Sequence, residues 1–232
     1  VGGSHRELLV LGRGVNRTLE MERAAGAGEI VLSPEAAAGL PAWTVGTARG
    51  PGYLLARAPR ALAWRGTPAP RQAGLPGLVP VALRERLGTE AGEGEHRLVT
   101  VAFARFHEAV DDPGACAERL DGLIRATQEV AKANGICLLT TDVDVDGGKI
   151  LVTAGAPDAA EQPEDRILDA MLALVGGDHG VPLQAGVSRG FAFAADIGAP
   201  SRRTYTLIGD PVNLAARVMA RAGRGELLAT PD

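Results

Sequence analysis

GVSRGFAFAADIGAPSRRTYTLIGDPVNLAARV, residues 186–218, passes from strand-like to helical patterning in one run. With the preceding VPLQA, its first part reads as two strands about a turn near Arg189-Gly190, and RTYTLIG reads as another. PVNLAARVMARAG then reads as a helix, and ELLAT as a last strand. Asn213 and Arg217 stand four apart, so both project from one helical face. A guanidinium can fork onto phosphate oxygens, and an Asn side chain can donate to a ribose or a neighbouring group. The pair also fits a structural reading, with Arg217 in a surface or inter-domain salt bridge and Asn213 capping a turn. On spacing alone that structural reading is preferred.

The end of this stretch occurs twice. Residues 12–35 (GRGVNRTLEMERAAGAGEIVLSPE) and 209–232 (GDPVNLAARVMARAGRGELLATPD) align without a gap at an offset of 197, with eight of 24 positions identical. The ordered set Gly12/Gly209, Asn16/Asn213, Gly28/Gly225, Glu29/Glu226 and Pro34/Pro231 points to two homologous domains. The division expected is residues 1–57 for the C-terminal part of a first domain, 58–95 for a Pro- and Gly-dense linker, and 96–232 for a second, nearly complete domain. LVPVALRERL, 78–87, reads as a single docking turn within the linker. The chain begins with Val and reads as part of a longer protein.

From Leu98 the pattern alternates. LVTVAFARF is a buried strand, residues 113–134 an amphipathic helix ended by Asn134-Gly135, ICLLT and KILVTAG two strands, and PEDRILDAMLALVGG a second helix. An α/β (α+β) sandwich, with helices covering a sheet, is predicted. With 46% hydrophobic residues and a formal net charge of −4, the chain is expected to fold and to have no general attraction for nucleic acid or anionic membrane. Aromatic residues are 3%, too few for the studded strands of an RNA-binding sheet. Two cysteines, no signal peptide and no membrane-length apolar run fit a cytoplasmic setting.

Two tempting motifs give way. TTDVDVDGGKI, 140–150, spaces Asp142, Asp144, Asp146 and Gly147 like the start of an EF-hand loop, but Thr153 stands where the chelating Glu belongs and strands flank it. It reads as a hairpin. GGDH, 176–179, reads as a helix C-cap and loop rather than a cyclic-dinucleotide signature.

The 186–218 stretch resembles the C-terminal half of the class III adenylate/guanylate cyclase catalytic domain, which has a ferredoxin-like fold. Gly186, Gly190, Gly198, Pro200, Arg202, Tyr205, Gly209, Asp210, Val212, Asn213, Ala215, Ala216 and Arg217 fall into the family's register, and the likeness extends over 96–232 and, truncated, over 1–57. The resemblance implies Asn213 and Arg217 as catalytic contacts to the nucleotide, Thr206 as the purine reader, favouring adenine, and Lys149 as its partner. Lys149 sits about three residues beyond the family's place. The family pairs two domains head to tail, one holding Mg or Mn on two aspartates, and makes cyclic AMP or GMP with release of pyrophosphate.

This chain departs from the family at the metal positions. FARF puts Arg105 in the first aspartate slot, and counting back from Gly155-Ala156-Pro157 puts Gly148 in the second. No metal ligand is expected in 96–232. In the first copy Asn16 is kept, but Glu20 replaces the Arg and Leu9 the Thr, and an acid aimed at phosphate repels it. The arrangement resembles tandem soluble adenylyl cyclases. It implies that this chain supplies the base-, ribose- and phosphate-contacting half of an ATP site formed by intramolecular pairing of the two copies, with the metal aspartates upstream of Val1. The chain alone should be inactive. The competing expectation is a silent cyclase-like module for dimerisation or nucleotide sensing in a larger signalling regulator.

Overall fold

A computed structural model describes residues 1–58, 75–84, 94–107, 113–144, 147–199 and 202–231. The chain divides into two compact units, Val10–Ala73 and a larger one comprising Val1–Leu9 with Gly74–Asp232. The first nine residues thus group with the larger unit, whereas the sequence division placed them in the first copy.

In the smaller unit, α1 (Arg13–Ala24) leads to β1 (Val31–Leu32), the short α2 (Pro34–Ala38), β2 (Val45–Arg49) and β3 (Gly52–Leu55). The strands form an antiparallel sheet ordered β1-β3-β2. Met21 is the buried residue of α1. A side chain at Gly52 would meet its sulfur at 2.5 Å and the Leu32 carbonyl at 2.3 Å.

The larger unit runs β4 (Glu95–His107), α3 (Pro113–Ala133), β5 (Cys137–Asp144), β6 (Gly147–Ala154), α4 (Pro163–Gly176), β7 (Leu183–Ala199), β8 (Arg202–Ile208), α5 (Asp210–Met219) and β9 (Leu227–Ala229). The sheet order is β5-β6-β4-β7-β8, with β9 parallel to β7. Its first four strands with α3 and α4 make the ferredoxin-like βαββαβ arrangement. The acidic stretch is the β5–β6 hairpin, paired out to Asp144↔Gly147; Asp146 lies outside the described residues.

Alternation divides the core between the two faces of the sheet. Ala102, Ala104 and Phe106 of β4 and Ile150 and Val152 of β6 are buried on one face. Helix α4, with Ile167, Ala170, Met171 and Leu174 buried, packs against β4, β6 and β7. Val99, Val101, Leu139, Leu151, Tyr205 and Leu207 form the other face's cluster with Ala215 of α5 and Leu83 of the turn Val81–Leu83. Each large aliphatic side chain so buried contributes about 1.5–3 kcal/mol.

One sequence expectation fails here. There is no turn at Arg189-Gly190: β7 is continuous for 17 residues and pairs with β4 straight through Val99↔Gly190. Gly190 lies beneath the Pro211 ring, from which an added Cβ would stand 3.4 Å, an ordinary contact distance.

The two copies of the repeat fold alike locally. In one, the Gly26 amide donates to Glu29 Oε2 at 2.8 Å and the Glu29 amide to the Gly26 carbonyl at 3.0 Å. In the other, the Gly223 amide donates to Glu226 Oε2 at 2.6 Å and the Glu226 amide to the Gly223 carbonyl at 3.0 Å. Gly28 and Gly225 share a left-handed backbone, φ 80° and 77°, which explains why both copies place glycine there.

The N-terminal strap lies along α3. Gln128, buried, accepts from the Gly3 and Ser4 amides at 2.7 and 3.0 Å and donates to the His5 carbonyl at 2.9 Å. Asp121 accepts from the Gly2 amide at 2.8 Å. The Arg125 guanidinium, and after it this amide, hold the Asp121 carboxyl below the ordinary Asp range. Gln128→Leu is expected to leave three backbone groups without partners and to weaken strap retention by about 2–3 kcal/mol. Amide hydrogen exchange at Gly3 and Ser4 checks this, and protection equal to the parent's would exclude a clamping role.

Candidate functional site

Helix α5 carries the residues singled out by the repeat. Gly209 precedes it, Pro211 pre-sets its first turn, and Asp210 and Arg217 match the helix dipole at its two ends. Pro211, Ala215 and Met219 are buried against the sheet. A Cβ at Gly186 would meet the Met219 amide nitrogen at 2.1 Å and the Ala215 carbonyl at 2.5 Å, so the helix backbone lies directly on that glycine. Gly186 and Gly190, four residues apart on β7, span about 13 Å at the strand rise. Pro211 to Met219 spans about 12 Å at the helix rise. The two lengths match, and the glycine pair is the bed in which α5 lies.

That bed turns Asn213 and Arg217 outward together. Both are exposed, and neither side chain forms a hydrogen bond or ion pair among the described residues. Asn213 does not cap the helix: no side chain caps α5, and the Asn213 amide donates to the Gly209 carbonyl at 3.3 Å. The salt bridge and turn cap of the structural reading are thus absent among these residues.

Thr206 lies on β8 opposite Ala195 of β7. Its neighbours Tyr205 and Leu207 point into the cluster beneath α5, so alternation turns Thr206 to the opposite face. There the sheet is open and apolar. Phe191, Ile197 and Ile208 are 69%, 46% and 54% exposed, and the Phe193 ring tilts against His96 at 5.4 Å. Pattern reading missed this patch, although the signal is visible in FAFAADI: Phe191, Phe193 and Ile197 all sit at odd positions, while Ala192 and Ala194 sit at even ones, so the bulk faces outward.

Lys149 lies elsewhere. It sits on β6 between Asp142 of β5 and Arg105 of β4, in the row that continues to Gln184 of β7. From Gln184 to Ala195, beside Thr206, is eleven residues of β7, about 36 Å along the strand. The sheet does not bring Lys149 and Thr206 together.

The expected metal slots are unsuited to a cation. Arg105 occupies one. At the other, a Cβ on Gly148 would meet the Phe106 ring and the Asp142 carbonyl, both at 2.4 Å. No group of three His, Cys, Asp or Glu able to hold a metal ion occurs among the described residues. The side chains present therefore do not fit Mg or Mn. In the smaller unit, Glu20 on α1 accepts from Arg17 at 3.0 Å.

Among solved structures, the adenylyl cyclase CyaB from P. aeruginosa superimposes with a TM-score of 0.50 at 22% identity, over 60% of this chain and 80% of that one. The guanylyl cyclase Cya2 does so with a TM-score of 0.50 at 19% identity, over 59% and 77%. The larger unit has the class III cyclase catalytic fold. No family model matches the chain. Two uncharacterized proteins of Mycobacterium tuberculosis are 37% identical over 92 residues and 38% over 91, each match covering 37% of this chain. The matched part is 17% of the length of either relative. No helix among the described residues of the cyclase-fold chain is long and apolar enough to cross a membrane.

Proposed function

We propose that the cyclase-fold unit supplies the nucleotide-contacting half of a class III site that converts ATP to cyclic AMP, formed by pairing of the two repeated domains. The observation that carries this reading is the outward, unengaged Asn213–Arg217 pair on a helix fixed by Gly186. In the reaction the ribose 3′-oxygen attacks the α-phosphorus and pyrophosphate leaves. Arg217 neutralises charge on the phosphoryl oxygens as it develops, and Asn213 orients the ribose. Thr206 reads the purine edge over the apolar floor of Phe193 and Ile208, which suits a flat ring. Lys149 is too far along the sheet to share that base. The matching turns at Glu29 and Glu226 support the tandem arrangement. Because Arg105 and Gly148 do not fit a cation, the proposal assigns Mg or Mn to aspartates of the first copy upstream of Val1.

The same two residues, with Glu20 in the first copy, favour one alternative: a cyclase-derived module that binds nucleotide or a partner domain without turnover. Cyclic AMP formation by the intact parent with ATP and Mg or Mn separates the two readings. Product supports the cyclase, whereas bound ATP without product supports the silent module. The 232-residue chain alone is expected to form none, and product from it would sink the half-site reading.

A further inference from the structure

Beyond Met219 the helical path of α5 continues: the Ala220 amide donates to the Ala216 carbonyl at 3.1 Å and the Ala222 amide to the Val218 carbonyl at 3.2 Å. Asn213, Arg217 and Arg221 therefore stack at four-residue intervals on one side of it, about 6 Å apart along the axis. Arg224 follows in the turn 223–226. All four side chains are exposed, and none forms a hydrogen bond or ion pair among the described residues. Elsewhere in the same unit, Arg84, Arg97, Arg125, Arg166 and Arg189 each meet a carbonyl or carboxylate oxygen.

Helix stability accounts for one of these cations but not for the column. A single cation in the last turn is favoured by the dipole, whereas like charges four residues apart repel by about 0.2–0.5 kcal/mol. Neighbouring acids do not relieve that repulsion. Glu226 is engaged as the acceptor of the Gly223 amide at 2.6 Å, and Asp210 stands at the opposite end of the helix. The helix end itself carries only about half a unit of negative charge, small beside three guanidiniums. Gln184 Nε2 also covers the Met219 carbonyl there, donating to it at 2.9 Å. The first copy of the repeat supplies a comparison within the chain. At the same offset of 197 it keeps Asn16 but has Glu20, Ala24 and Ala27 where Arg217, Arg221 and Arg224 stand. The basic column thus belongs to the copy that keeps the phosphate-contacting Arg. One guanidinium fork suits one phosphate, and two forks a turn apart suit phosphates linked in a chain.

We propose that Arg221 continues the contact begun by Arg217 onto the next phosphates of the same ligand, so that this end of α5 binds a linear oligophosphate rather than a single phosphate. Arg224 adds to the attracting field. The inference deepens the nucleotide-contacting reading and rests on its assignment of Arg217 to phosphate. It makes Arg221 a residue that selects for the length of the phosphate chain.

Calorimetric titration of the full 232-residue chain with inorganic tripolyphosphate, ATP and AMP tests this. Tripolyphosphate and ATP are expected to bind saturably at one site, and AMP about tenfold more weakly than ATP. Arg221→Gln alters only an exposed side chain, so the variant should fold. It should weaken tripolyphosphate and ATP about fivefold and leave AMP unchanged, whereas Arg217→Gln should weaken all three. Arg23→Gln removes an exposed charge from the smaller unit and should change none of them. ATP bound more tightly than tripolyphosphate would mark a nucleotide as the source of the phosphate chain, and equal affinity a free oligophosphate. Three results would each overturn the proposal: no saturable binding of tripolyphosphate, AMP bound as tightly as ATP, or Arg221→Gln losing no more than Arg23→Gln. Failure of the cyclase reading would show separately, as no cyclic AMP from the intact parent, and would leave the binding result standing.

Discussion

Gly186→Val is expected to abolish folding of the cyclase-fold unit, and Gly186→Ala to destabilise it by about 3 kcal/mol. The side chain would enter not a flexible neighbour but the helix backbone, meeting the Met219 amide nitrogen at 2.1 Å and the Ala215 carbonyl at 2.5 Å. Backbone cannot rotate away as a side chain can, so α5 must lift from β7 and expose Ala215 and Met219, both buried against it. Gly190→Ala is the matched control. Its added methyl would stand 3.4 Å from the Pro211 ring, ordinary van der Waals contact, and should change stability by less than about 1 kcal/mol. Thermal melts by circular dichroism of the two alanine variants decide the matter. Equal melting temperatures would show that α5 does not rest on Gly186 in solution.

In the intact parent, Arg217→Ala is expected to lower turnover about 100-fold or more while changing the apparent affinity for ATP only a few-fold. Arg217 is exposed and has no ion pair among the described residues, so its removal should alter stability by less than about 0.5 kcal/mol. Lost turnover can then be read as lost chemistry rather than lost fold. Arg217→Lys should recover only part of the rate, because an ammonium cannot make the two parallel contacts of a guanidinium. Steady-state kinetics separate the possibilities. Equal losses in turnover and ATP affinity would assign Arg217 to ground-state binding and remove it from the transition state.

The helices and most strands were legible because their patterns are local. Pro113 and Gly135 bracket α3, and the apolar runs on either side of Asp142–Gly147 give the β5–β6 hairpin. The repeat was legible as well, and its matching turns at Glu29 and Glu226 follow from side chains only three residues from the amides they cap. What escaped the sequence was non-local. Gly190 looked like a turn residue because the partner that holds it in a continuous strand, Val99 of β4, lies 91 residues earlier and leaves no mark beside it in the sequence. Lys149 looked like a partner for Thr206 because a linear motif does not disclose that eleven residues of β7 separate their rows. The strap's attachment through Gln128 joins residues more than 120 apart and leaves no local mark.

Gly148 has a consequence on the timescale of descent. With the Phe106 ring and the Asp142 carbonyl filling the place of a side chain, an aspartate introduced at 148 by a single mutation would damage the core before it could hold any cation. A metal-binding pair at 105 and 148 therefore needs several coordinated changes, and the first of them destabilises the core with no gain in binding. On the half-site reading proposed above, that barrier would hold the asymmetry between the two copies against reversal by single mutations.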